Sequence, residues 1–199
     1  MSCATPSDEE LMGMFEAGDA GAFEKLFSRY KAPIFSFLLR QCGSRDTAGD
    51  LMQDVFMRVI KGAAAFERKS KFSTWIYAIA RNLAVDTARK ARHRAHPSLD
   101  QETREDGPTL GERQAGKGPA PDRSATASRM REHLVAAIER LPEEQREVFL
   151  LREYHGLSFQ EIAEVVEAKV GTVKSRMRYA LEAMRIELAE YADYARTLS

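Results

Sequence analysis

The sequence has only two cysteines, Cys3 and Cys42, and four scattered histidines among its 199 residues. Two such distant cysteines make neither a disulfide framework nor a C-x-x-C pair, which suits a reducing compartment. His93 and His96 have metal-like spacing but no further ligands nearby, so neither a metal site nor a cofactor is expected. Long apolar runs are missing too: the uncharged stretch Ala32–Leu39 is far shorter than the roughly 18 residues a membrane span needs. The start is acidic (Asp8, Glu9, Glu10), unlike a secretory signal. A cytoplasmic chain with no membrane insertion of its own is expected. No Walker loop, H-E-x-x-H, G-x-S-x-G or paired-metal spacing occurs, so an enzyme reading has nothing to attach to.

Net charge is also absent, with 30 basic residues against 30 acidic ones. The distribution is more informative than the sum. Residues 66–94 carry eight basic and two acidic residues (+6), and residues 169–185 carry five and one (+4). Two basic elements far apart in the chain suggest two contacts with one polyanion. Apolar residues make up 44% of the chain, enough for a packed core.

Helical periodicity runs through most of the chain and stops between Ala95 and Ser128. That stretch contains Pro97, Pro108, Pro119, Pro121, Gly107, Gly111, Gly116 and Gly118, with only Leu99 and Leu110 as large apolar residues. Without a face to bury, it reads as a flexible linker. The expected architecture is all-α: a helical module over 1–94, a linker over 95–128, and a second helical module over 129–199.

In the first module, Ser7 and Glu10 form a capping-box pattern before Leu11, and Gly18 ends a short helix. Asp19 is placed to cap a second helix carrying Phe23, Leu26, Phe27, Ile34, Phe37 and Leu38, with a kink expected at Pro33. Asp46 is expected to cap a third, running to about Lys61 with Leu51, Val55 and Val59 on one face and Gly62 as its stop. A fourth begins near Ser73, with Ile76, Ile79, Ala80 and Leu83 as its buried stripe.

The second module opens with a helix over 130–140, followed by one from Pro142 to about Tyr154 that ends at Gly156. Ser158 and Glu161 then open a short helix, and a longer one starts near Gly171 or Thr172 with Val173, Met177, Leu181, Met184 and Leu188 as core positions. A short helix, a tight turn and a basic-fronted helix make a helix-turn-helix, of the winged-helix-like or four-helix kind. Thr172, Lys174, Ser175, Arg176 and Arg178 supply major-groove donors and phosphate-binding cations at the start of the last helix. A solvated surface helix would also carry such residues.

The basic stretch of the first module is interleaved with Phe66, Phe72, Trp75 and Tyr77, a combination suited to unstacked bases. Trp75 is expected in the core, which leaves the loop Glu67–Lys71, with Arg68, Lys69, Ser70 and Lys71, to meet bases. Asn82, Asp86, Arg89 and Lys90 share a polar stripe on the following helix. Asp50, Gln53 and Asp54, near Phe56 and Met57, make an acidic-apolar helix face that is either a protein-binding surface or a plain solvated one.

These pieces resemble the bacterial RNA polymerase sigma factors of the extracytoplasmic-function (ECF) type, within the sigma-70 family. DLMQDVFMRVIKG (Asp50–Gly62) looks like the helix with which that family binds core polymerase, and FSTWIYAIARNLAVDTARKARH (Phe72–His93) is similar to its promoter-melting and −10 segment. LPEEQREVFLLREYHGLSFQEIA (Leu141–Ala163) followed by GTVKSRMRYALEAMR (Gly171–Arg185) resembles its −35-reading helix-turn-helix. The resemblance implies a transcription initiation factor with three kinds of partner: core RNA polymerase, promoter DNA and an anti-sigma factor. It implies that Asp50, Gln53 and Asp54 dock on the core enzyme. Arg68, Lys69, Ser70 and Lys71, with Asn82 and Arg89, would then serve the −10 strand, and Thr172, Lys174, Ser175, Arg176 and Arg178 the −35 duplex. The alternative is a stand-alone helix-turn-helix repressor or activator. The chain departs from the family in its turn, Val166-Glu167-Ala168-Lys169, where a glycine is usual. Glutamate does not reach positive φ without strain, so a distorted or shifted turn is expected. The tail after Leu188 exceeds the family's usual ending and is expected to lengthen the last helix.

Overall fold

The computed structural model describes residues 5–66, 70–94 and 121–189, with side chains omitted at 92–94 and 121–129. Eight α-helices and no strand occur among the described residues: α1 (Asp8–Glu16), α2 (Ala20–Cys42), α3 (Arg45–Lys61), α4 (Phe72–Arg94), α5 (Pro121–Arg140), α6 (Glu143–Phe149), α7 (Phe159–Val165) and α8 (Val170–Glu187). A single 3₁₀ turn covers Ala63–Ala65, and α6 continues into a π-helical turn over Leu150–Tyr154. The described residues form two compact units. The first holds α1 to α4 and residues 160–168; the second holds α5, α6, the π turn and α8.

The first unit is set by its caps. Ser7 and Glu10 complete the capping box of α1, the Glu10 carboxylate accepting the Ser7 N–H at 2.7 Å and the Ser7 hydroxyl accepting the Glu10 N–H at 3.1 Å. Asp19 caps α2 by accepting the N–H groups of Gly21 and Ala22. Pro33 is accommodated inside α2, which runs unbroken to Gly43 at φ +69. The α3 cap is Ser44, whose hydroxyl accepts the Thr47 N–H at 3.3 Å; Asp46 lies within the first turn instead, where its charge suits the helix dipole. The core is built from Leu11, Leu26, Ile34, Phe37, Leu38, Leu51, Val55, Val59, Phe72 and Ile76, all buried. Such burial contributes about 1.5–3 kcal/mol per large apolar side chain.

Asp8 ties α1 to α2 by accepting from both Arg29 and the Tyr30 hydroxyl. Burial, then the Asp8 hydrogen bond, push the Tyr30 phenol well above its ordinary value. Burial does the same to Tyr77 on α4. Glu9 reaches further along the chain and accepts the backbone N–H of Phe72 at 2.9 Å.

In the second unit, α5 begins at Pro121, inside the stretch expected to be linker. Ile138 and Leu141 are buried with Val148, Phe149, Leu150 and Leu151. Arg152 donates to the Leu157 carbonyl at 2.9 Å and lies over the Phe159 ring at 4.8 Å, holding the bend at Gly156 (φ +70). Along α8 the buried stripe is Val173, Met177, Ala180 and Met184. Leu181, expected in that stripe, is 49% exposed.

The turn before α8 keeps its left-handed residue without a glycine: Glu167 itself adopts φ +53. Its neighbours are held by backbone bonds, Val166 N–H to the Ile162 carbonyl at 2.9 Å and Ala168 N–H to the Ala163 carbonyl at 3.0 Å. The expected departure is thus met by strain at one residue, costing about 1–2 kcal/mol. The tail expected to lengthen α8 lies outside the described residues beyond position 189, and α8 itself closes at a C-cap on Leu188.

Candidate nucleic-acid interface

Three surfaces carry the residues singled out in the sequence. On α3, Asp50, Gln53 and Asp54 are exposed at i, i+3 and i+4 and so share one face. The next position of that face is Met57, 48% exposed. Phe56 turns inward and packs edge-on against Phe27 at 4.7 Å, so Met57 supplies the apolar part of the surface.

At the start of α4, Arg68 and Lys69 lie outside the described residues, whereas Ser70 is half-buried and Lys71 exposed. The Lys71 ammonium sits 2.9 Å from the Glu161 carboxylate in the first unit, and that contact raises the Lys71 pKa. The interleaved aromatics divide. Phe72 and Tyr77 are buried, while Phe66 and Trp75 are half-buried and pack against each other at 5.0 Å, their planes tilted by 42°. The Trp75 indole also presses on the end of α3, where a Cβ on Gly62 would meet its Cζ2 at 3.1 Å. Of the four rings, only Phe66 and Trp75 thus keep surface in reach of solvent.

Further along α4, Asn82 and Arg89 are both exposed. Arg89 pairs with Asp86 at 3.1 Å, with both side chains largely in solvent, so the pair stabilises by no more than about 1 kcal/mol and leaves the guanidinium accessible. Lys90 is exposed beside it.

On α8, Thr172, Lys174, Ser175 and Arg178 are exposed, opposite the buried stripe. The Ser175 hydroxyl donates to the Gly171 carbonyl at 3.0 Å, so one donor of the set is occupied within the helix. Arg176 differs from the rest: its side chain is 21% exposed and its guanidinium lies 2.6 Å from Glu144 on α6. The Arg178 guanidinium lies over the Tyr179 ring at 4.9 Å, and Tyr179 is 54% exposed. Sequence reasoning passed over both Tyr179 and Glu144. Tyr179 was detectable as an aromatic off the apolar stripe; Glu144 carries no signal in the sequence, since its partner is 32 positions away.

Among the described residues, no cluster of three or more metal-binding side chains occurs and no helix is long and apolar enough to cross a membrane.

All three surfaces lie within segments that match a known family. Residues 26–94 match Sigma-70 region 2 and residues 131–184 match Sigma-70, region 4. The chain is 32% identical over 174 residues to the ECF RNA polymerase sigma factor SigW of Bacillus subtilis, a match spanning 87% of this chain and 92% of that protein. It is 34% identical over 186 residues to the ECF RNA polymerase sigma-E factor of Escherichia coli, spanning 89% and 92%. Its fold is similar to that of the sigma factor RpoE of Bartonella quintana, solved with the anti-sigma factor NepR, at a TM-score of 0.66 and 22% identity over 84% of this chain and 96% of that one. CnrH, solved with the cytosolic domain of CnrY, gives a TM-score of 0.65 at 19% identity over 93% and 99%. With both conserved regions matched in order and nearly the full length of two curated relatives covered, the chain belongs to the ECF sigma factors of the sigma-70 family.

Proposed function

We propose that this chain binds core RNA polymerase and directs it to promoters, with the α3 face docking on the enzyme and two basic elements reading DNA. The observation that carries the DNA assignment is the exposed face of Lys174, Ser175 and Arg178 near the start of α8, with Thr172 exposed at its first turn, backed by the buried Val173, Met177 and Ala180 and lying within the segment that matches region 4. Side chains in the first turns of a helix are those that reach base edges when it lies in the major groove. On this reading α8 contacts the −35 duplex. Lys71, Asn82 and Arg89, with Arg68 and Lys69, contact the −10 strand, and Phe66 and Trp75 offer stacking surface to unpaired bases.

On this reading the functional modules are 1–94 and 129–199, the second preceded by the opening turns of α5 from Pro121, and residues 95–120 let both engage one promoter. Asp50, Gln53, Asp54 and Met57 form the core-enzyme contact, an acidic rim around an apolar centre. The chain acts in the cytoplasm with the polymerase, needs no cofactor, and supplies recognition while nucleotidyl transfer remains with the core enzyme. An anti-sigma protein is a further partner, by analogy with the Bartonella quintana factor solved with one.

The test is start-site mapping of transcripts from a genomic fragment pool, using purified core polymerase with and without the chain. New starts preceded by a shared pair of spaced elements support the proposal. An unchanged pattern, with the chain folded, overturns it.

A further inference from the structure

Arg176 stands in the middle of the cationic row of α8 and does not share its exposure. Two residues turn a helix by about 200°, so Arg176 faces away from both Lys174 and Arg178, which lie within about 40° of each other. It borders the stripe by which α8 packs on α6, and there its guanidinium meets Glu144 at 2.6 Å. Glu144 is in the first turn of α6, where a carboxylate also complements the helix dipole, and Pro142 leaves that end without a side-chain cap. The Arg176 side chain is mostly covered while that of Glu144 is 70% exposed, so the pair is anchored from the arginine side.

From this geometry we infer that Arg176 is a positioning residue: paired with Glu144, it sets the rotation of α8 on α6 so that Lys174 and Arg178 face the −35 duplex, and it contacts no DNA itself. The inference rests on the proposal that α8 reads DNA. A guanidinium already committed to a carboxylate carries little net charge toward a phosphate. Loss of either partner leaves the other without its counter-charge and loosens the setting of α8 on α6, which the buried stripe alone then holds.

The experiment uses holoenzyme, reconstituted from core polymerase and full-length chain, on a mapped promoter and on the same promoter with its −35 element scrambled. Arg176→Ala and Glu144→Ala should each lower the ratio of the two activities by about fivefold, and the double variant should be no worse than either single one, because the two side chains act as a unit. Arg176→Lys, which keeps the charge, should retain most of the ratio. The salt dependence of promoter binding should be unchanged by Arg176→Ala, whereas Lys174→Ala, removing a phosphate contact, should reduce the log–log slope by about 0.9.

A harmless Glu144→Ala together with a shallower slope for Arg176→Ala would overturn the inference in favour of direct DNA contact. Equal losses on the intact and scrambled promoters would overturn it in favour of a purely structural pair. A Lys174→Ala variant with unchanged slope and unchanged −35 dependence would fail the DNA reading of α8 itself, a result separable from both. Circular dichroism of each variant confirms that the helices are retained.

Discussion

The Glu9 carboxylate accepts the backbone N–H of Phe72 at 2.9 Å across 63 positions of sequence, so a residue of α1 caps α4, the helix proposed to serve the −10 strand. The first amides of a helix have no partner within it, and a side-chain acceptor there stabilises by about 1 kcal/mol. Because Phe72 is fully buried directly at this cap, the same bond fixes where the loop before α4 must end. Glu9→Ala should therefore lower the unfolding free energy by about 1 kcal/mol in denaturant titrations. It should also weaken promoter melting more than core binding, as permanganate footprinting against a binding assay would resolve.

Glu167 at φ +53 predicts an unusual direction for a substitution. Glutamate in the left-handed region costs about 1–2 kcal/mol, and glycine returns part of that as backbone entropy lost on folding, about 0.5–1 kcal/mol. Glu167→Gly should therefore raise stability by a few tenths to about 1 kcal/mol. Glu167→Val, β-branched at positive φ, should destabilise by more than Glu167→Gly stabilises. Melting temperatures of the two variants should fall on opposite sides of the parent's.

Tyr30 links stability to alkaline pH. Its phenol is raised by burial and by the Asp8 carboxylate, so in the folded chain it keeps its proton where an unfolded tyrosine, at about pH 10, has lost it. The folded state then binds more protons than the unfolded one above about pH 10, and stability falls as pH rises further. The contribution is complete below that pH. Tyr30→Phe should be less stable than the parent at neutral pH, having lost the hydrogen bond to Asp8, and should show a shallower decline in alkali. Denaturant midpoints on either side of about pH 10 would check this, and an equal decline in the two proteins would rule it out.

The proposed docking face on α3 lets docking be tested apart from folding. Asp50, Gln53 and Asp54 are exposed, so replacing them should shift stability by no more than about 0.5 kcal/mol each. Asp54→Lys should nevertheless weaken assembly with core polymerase by tenfold or more, since a reversed charge at an interface adds repulsion to the lost contact, roughly 1.4 kcal/mol or above. Competition for core enzyme against the unaltered chain measures it.

The helices were legible because their signals are local. Ser7 with Glu10, Asp19, Gly62 and the periodic apolar residues each act within a turn or two of themselves. Errors arose where two local signals competed or where size misled. Ser44 and Asp46 are both good caps, and the chain uses the first while the second joins the opening turn. On α8, size favours Leu181 as the core position after Met177, but seven residues bring a helix within about 20° of two full turns whereas eight overshoot by about 80°. Ala180 therefore lies under the stripe begun at Val173 and Leu181 stands out in solvent. The site was legible as a set of residue types, and less so as a set of roles. The fate of Arg176 depends on Glu144, and that of Phe72 on Glu9, and neither partnership leaves a trace in spacing.

Trp75 is the chain's one tryptophan. Its indole is half-buried in a cluster with Phe66 at 5.0 Å and Phe72 at 6.0 Å, the two rings that flank residues 67–71 in the sequence. The protein thus carries a fluorophore wired to the segment assigned to the −10 strand. On the proposed reading, insertion of a base beside Phe66 would quench or shift that emission, so binding of single-stranded −10 DNA can be followed in real time on the unmodified chain.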